Sequence, residues 1–177
     1  MYKLFTLVVF VLLTSCQQKS SENEAENMAS GTPPPAEIGN PQLIEIGKAA
    51  IAAMSSGDIE SFASHYADDA VYYWNSGDSL AGKTAIREYW TKRRSEDITS
   101  IIFEDDIWLP VNVNTPTNAA QAPGEWLLGW YRTTATYNSG KSMTQWIHAD
   151  HHFNAEGKID RTIQYLDRSV INAAMSK

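Results

Sequence analysis

The 177 residues include a single cysteine, so no disulfide can close within the chain. Positive charge is scarce as well. Fourteen Lys and Arg stand against 21 Asp and Glu, a net charge of −7. Nucleic acid is recognised through a basic footprint, and this balance argues against it. No apolar run is long enough to span a bilayer. The most apolar stretch, Leu4 to Leu13, falls well short of the ~20 residues a spanning helix needs. Tryptophan is absent before Trp74, so the packed part of the chain starts late. What remains is an ordinary globular composition, 43% hydrophobic and 20% charged, sized for one domain.

Met1-Tyr2-Lys3 sets one positive charge ahead of the apolar run, as a secretion signal does. The run ends in Leu13-Thr14-Ser15-Cys16. This resembles the lipobox of bacterial lipoproteins. The resemblance implies cleavage before Cys16, lipidation of its thiol and attachment to a membrane of the bacterial cell envelope, periplasmic or at the cell surface. Residues 1–15 are then a lipoprotein signal peptide, 16–39 a flexible tether and 40–177 the folded domain. The tether is polar, acidic and interrupted by Pro33-Pro34-Pro35. It buries too little apolar area to offset the entropy of ordering.

Asn40-Pro41 offers a cap and a first-turn proline. The helix they open carries Leu43, Ile46, Gly47, Ala50, Ile51 and Met54 on one face, and Gly57 ends it. Asp58 caps a second helix with Ile59, Phe62, Ala63 and Tyr66 inward. A strand from Ala70 to Trp74 and a turn lead to a third helix, about Thr84 to Arg94, which buries Ile86, Tyr89 and Trp90. Its Lys92-Arg93-Arg94 reads as a solvated basic face. Strands follow over 98–109 and 125–137, with a long loop at 111–124 between them. A short helix closes the chain from about Ser169. Gly77 to Thr84 matches the P-loop pattern literally. It is rejected, because the preceding VYYWN lacks the aliphatic character of a buried parallel strand.

The stretch from Thr144 to Asp167 reads as a β-hairpin: TQWIHADHHF, a turn NAEG, then KIDRTIQYLD. A four-residue loop pairs Phe153 with Lys158. One face then holds His151 opposite Asp160, Ala149 opposite Thr162 and Ile147 opposite Gln164. The other holds Trp146 with Tyr165, His148 with Ile163 and Asp150 with Arg161. A four-residue turn at Asn138–Lys141 likewise pairs Tyr137 with Ser142. That puts Trp126, Leu128, Trp130 and Arg132 on the face of His151. Helices first and hairpins after predict an α+β fold, three N-terminal helices packed in the concave face of a curved antiparallel sheet.

Three stretches carry a family resemblance: Gly57-Asp58-Ile59-Glu60 through Ala70, Gly82 through Trp90, and Phe153 through Ile159 to Tyr165. They resemble the nuclear transport factor 2-like superfamily, the cone fold of ketosteroid isomerases and SnoaL-like polyketide cyclases. The resemblance runs from about Pro41 to Asp167. Isomerase chemistry uses a carboxylate base and an oxyanion hole built from a Tyr and a protonated Asp. A gapless local alignment sets Ala50 at the Tyr position, Trp74 at the base and Ala149 at the second Asp. None of the three can move a proton, so that mechanism is not expected here.

The candidate catalytic pair is His151 with Asp160, since a carboxylate beside an imidazole fixes its tautomer and strengthens it as a base. His148, Asp150 and His152 alternate along one face at a spacing able to chelate, but nothing nearby completes a ligand set. No metal and no cofactor are expected. Met54, Tyr72, Trp74, Trp90, Trp130, Arg132 and Gln164 are the candidate ligand-binding residues, aromatic with few polar points. The expected function is binding of a small apolar or aromatic ligand in the cone. One alternative is an acid/base enzyme of cyclase, dehydratase or hydrolase type at His151. The other is a non-catalytic dimerisation or structural domain. Trp146, Ile163 and Tyr165, facing outward, point to a homodimer.

Overall fold

The computed structural model describes Gly31 and residues 33–118 and 121–176. Cys16, the stretch expected to be a signal peptide and most of the expected tether lie outside the described residues. Pro35–Lys177 form one compact unit. In chain order its elements are β1 (Ala36–Ile38), α1 (Leu43–Ser56), α2 (Ile59–Ser64), β2 (Tyr66–Trp74), β3 (Ser79–Ala81) and α3 (Lys83–Lys92). A π-helical turn (Arg93–Asp97) leads into β4 (Ile98–Val113), β5 (Gly124–Tyr137), β6 (Ser142–Phe153), β7 (Ile159–Tyr165) and α4 (Arg168–Met175).

The strands form one open sheet in the order β1-β4-β5-β6-β7-β2-β3. The fold is α+β, with three departures from the sequence reading. The described residues hold four α-helices rather than three at the N-terminus; the strand between α2 and α3 and the closing helix α4 stand where the sequence reading put them, and β3 is added. The sheet is mixed, because β2 runs parallel to β7, Val71 beside Arg161 through Trp74 beside Gln164. The domain also begins before Asn40, since Ala36–Ile38 pair with Val111–Val113 at the sheet edge. Ser79–Ala81 pair with Val71–Tyr73, so the P-loop match holds a strand rather than a phosphate cradle. Lys83 pairs there with Asp68 at 3.0 Å.

The helices cover one side of the sheet. Leu43, Ala50, Ala53 and Met54 of α1 are buried, with Ile59, Phe62 and Ala63 of α2 and Ile86 of α3. Beneath them β5 presents Leu127, Tyr131, Thr133, Ala135 and Tyr137, all buried. The alternate position Gly129 leaves room for Trp108: a Cβ there would come within 2.4 Å of its ring.

Two turns decide which side chains face inward. Tyr137 N donates to Lys141 O at 2.9 Å, and Asn154 N donates to Lys158 O at 2.9 Å. Gly140 at φ 82° and Gly157 at φ 71° end the two loops in the left-handed region. Each turn is therefore a three-residue loop closed by a glycine bulge. Each shifts the register one residue from a four-residue loop. Between β5 and β6 that single slip stands. Trp130 pairs with His148 and Arg132 with Trp146, so Trp126, Leu128, Trp130 and Arg132 turn to the outer face. Between β6 and β7 a bulge at Asp160 adds a second slip, and His151 pairs with Thr162. Two slips restore the original face. His151 stays inward, but Asp160 is no longer its partner.

Candidate functional site

On the concave side a void of about 40 Å³ remains between helices and sheet. Ala50, Met54, Phe62, Tyr66, Tyr72, Trp90, Phe103, Tyr131, His151 and Gln164 border it, and no Asp, Glu, Lys or Arg does. His151 is buried, and its Nδ1 lies 2.9 Å from Thr162 Oγ1. The Thr162 hydroxyl donates in turn to Tyr66 Oη at 3.3 Å. Having given its proton to Tyr66, Thr162 accepts from Nδ1–H. His151 Nε2 then carries a lone pair and makes no hydrogen bond among the described residues.

Burial, helped by the charge of His148, lowers the pKa of His151 to about 4. The ring is neutral at pH 7 and a weak general base. Burial also pushes up Tyr66 and Tyr72, and raises Tyr131 to about 12. The cavity thus holds hydrogen-bonding groups and no charge. Trp74 Nε1 donates to Gln164 Oε1 at 3.2 Å. Trp90 Nε1 and Thr133 Oγ1 are buried without a partner among the described residues.

Met54, Tyr72, Trp90 and Gln164 border the void, and Trp74 packs on Tyr72 with ring centroids 5.0 Å apart. Two other candidates lie outside. Trp130 stacks on His148 at 4.4 Å. Arg132 pairs with Asp105 at 2.8 Å and Glu104 at 3.3 Å. Both were displaced by the slip at Gly140. The bulge turned Asp160 outward as well, where its Oδ1 meets His152 Nδ1 at 2.5 Å. His151 with Asp160 is therefore not a pair. Sequence reasoning missed Thr162, Tyr66 and Tyr131. Tyr66 was read as the end of a helix, and Tyr131 was put on the wrong face. Gly140 at the third loop position was the available signal for the latter.

The outer face uses histidine differently. His148 Nδ1 lies 2.9 Å from Gly129 O and its Nε2 lies 2.8 Å from Asp150 Oδ1. Trp130 and Tyr165 stack on its two sides. His152 Nε2 lies 3.0 Å from Pro123 O, opposite its contact with Asp160. A carbonyl only accepts, so one nitrogen of each ring must donate to it while the other faces a carboxylate. Both nitrogens of each ring are committed to protein partners. No cluster of three or more metal-ligating side chains occurs among the described residues. Burial raises the Asp150 carboxyl, against the attraction of His148.

A family model described as a SnoaL-like domain matches residues 48–162. No curated protein matches the sequence. The chain is similar in fold to a structure assigned as a polyketide cyclase from Xanthomonas campestris pv. campestris. TM-score is 0.59 and identity 15%, over 75% of this chain and 96% of the other. An LEH-like epoxide hydrolase of M. tuberculosis aligns at TM-score 0.54 and 13% identity, over 75% and 87%. A ketosteroid isomerase-like fold from Catenulispora acidiphila, solved with trimethylamine, aligns at TM-score 0.55 and 13% identity, over 74% and 92%. At these identities the structures speak for the fold alone.

Proposed function

This chain belongs to the SnoaL-like domain family, and from that premise we propose that it binds a small, neutral, largely apolar ligand inside the cone. The observation that carries this reading is His151 Nε2, one open acceptor in an aromatic hollow bordered by no charged residue. A few placed polar groups in an apolar lining are what ligand pockets offer. A charged ligand is disfavoured, because an ion buried without a counterion costs several kcal/mol. The ligand must donate to Nε2 through a hydroxyl or an N–H. As it stands the void of about 40 Å³ has room for about three waters. Anything larger requires movement, and Met54, unbranched and flexible, is suited to give way.

The test is to purify the full chain from its native cells and identify by native mass spectrometry what travels with it. One small neutral molecule is expected, lost in Ala50→Phe, which fills the void. An empty wild type would overturn the reading. Binding is favoured over acid/base turnover, because an imidazole that protonates only near 4 is a poor base at neutral pH and has no carboxylate partner. The smallness of the void supports a second reading, a structural or dimerisation domain. Trp146 and Tyr165, 52% and 44% exposed, are the surface that would meet a second copy, and a monomer in sedimentation would refute it. Anchoring through lipid on Cys16 rests on the Leu13–Cys16 motif alone. A Cys16→Ser protein that still fractionates with membranes would end it.

A further inference from the structure

The outer face of the sheet carries a cleft far roomier than the void in the cone. It measures about 350 Å³, within the range of about 300–1,000 Å³ that holds small organic molecules. Val111, Leu128 and Ile163 give it an aliphatic floor, and Thr117 and Gln121 border it from the loop above. The end of that loop is held to the sheet: Pro123 O receives His152 Nε2 at 3.0 Å, and Ala122 O receives Trp126 Nε1 at 2.9 Å.

Its one charged lining residue is Asp150, whose side chain is only 18% exposed. Oδ1 meets His148 Nε2 at 2.8 Å. Oδ2 makes no hydrogen bond among the described residues. His148 Nδ1 gives its proton to Gly129 O, which turns Nε2 toward Oδ1. The attraction of His148 offsets the charge of the Asp150 carboxylate, and Oδ2 remains as an acceptor in an apolar setting. Gln121 Oε1 is taken by Thr117 N and Oγ1, at 2.8 and 3.1 Å, which leaves its amide nitrogen for an acceptor on a ligand.

We infer that this cleft is a second binding site, separate from the cone, for a small uncharged molecule with an aliphatic body and a hydroxyl group donated to Asp150 Oδ2. Val111, Leu128 and Ile163 take the body. An anion meets the carboxylate directly. A cation meets a unit whose charge His148 has already balanced, and loses its own hydration for little return.

Three probes with one ring and different charge test the class: cyclohexanol, cyclohexylammonium and cyclohexanecarboxylate. Each is titrated into the methyl-labelled full chain in detergent micelles, and side-chain methyl shifts are followed. Cyclohexanol should saturably move the methyls of Leu128 and Ile163, which line the cleft, and leave those of Ala50 and Met54, which border the void in the cone, still. Asp150→Ala should weaken it about tenfold or more. Leu128→Trp, which fills the cleft from an outward position, should abolish it. No saturable shift with cyclohexanol overturns the site. So do shifts confined to Ala50 and Met54, which would belong to the cone. Tighter binding of cyclohexylammonium overturns the ligand class, and unchanged affinity in Asp150→Ala overturns the role of the carboxylate. An empty cone leaves these outcomes untouched, because the two sets of methyls lie on opposite sides of the sheet.

Discussion

His151 and His152 are neighbours on β6 and live under opposite rules. His151 points into the cone, its hydrogen-bond partner is a hydroxyl, and burial keeps it neutral. His152 points outward and is held between a carboxylate and a carbonyl, and His148 repeats that arrangement four residues earlier on the same face. The inner face excludes charge; the outer face sets each imidazole against a carboxylate. What a histidine does here follows from the partner its register supplies, not from the residues beside it in sequence.

The strongest way to break that comparison is on β5, where adjacent leucines face opposite sides. Leu127 is wholly buried under the helices, and Leu128 lines the outer cleft. Leu127→Ala should lose about 2–5 kcal/mol, the range for a core leucine cut to alanine. Leu128→Ala should stay within about 1 kcal/mol. Urea denaturation of the two variants reads the difference. Equal losses, or the larger loss at Leu128, would mean that the strand is turned over and that Trp130 and Arg132 face the cone after all.

That strand also marks where legibility in the sequence ended. Helices α1 and α2 were readable from the apolar stripe Leu43 to Met54, the break at Gly57 and the Asp58 cap, which accepts from Ser61 N at 2.9 Å. The strands and hairpins were readable from their aromatic and β-branched runs. Register was not. It hangs on whether Gly140 and Gly157 close three-residue or four-residue loops, and on a bulge at Asp160 that leaves no periodic trace. One slip sent Trp130 and Arg132 outside; two slips kept His151 inside and replaced Asp160 with Thr162. β1 escaped notice because its three residues are exposed and follow a proline run.

Protonation of His151 tests the inner face directly. His151 protonates near 4 in the fold and near its ordinary value of about 6.5 in the unfolded chain. The unfolded chain therefore takes up a proton first as pH falls. The stability that depends on a neutral ring is complete above about pH 6.5 and is lost as pH drops toward 4, about 3 kcal/mol over the whole span. His151→Gln has no such proton to bind. The stability difference between wild type and His151→Gln should fall by that amount between about pH 7 and pH 4. A difference that stays flat would put the ring in water and empty the cone of its acceptor.

A third, smaller effect tests the device that sets the faces. Gly140 sits at φ 82° with open space around it, so an alanine there meets no clash and only the backbone objects. Gly140→Ala should destabilise by about 1 kcal/mol. Thermal unfolding beside an alanine at exposed Ser142 measures it, and no loss would mean that the turn is not the glycine bulge that moves Trp130 outward.

The smallest expected effect is also the most direct on the outer half. Arg132 was the polar point that sequence reasoning placed in the cone. In a charge-free hollow a guanidinium would need every donor satisfied, and its removal would be felt strongly. On the outer face it reaches Asp105 and Glu104 with its side chain 40% exposed, and surface pairs of that kind are screened by salt. Arg132→Ala should therefore leave the denaturation midpoint nearly unmoved at physiological salt and leave the mass of whatever co-purifies with the chain unchanged. A large loss of stability, insensitive to salt, would return Arg132 to the interior. The single-residue slip at Gly140 would then be the error, and the neutrality of the cone, from which a neutral ligand is inferred, would go with it.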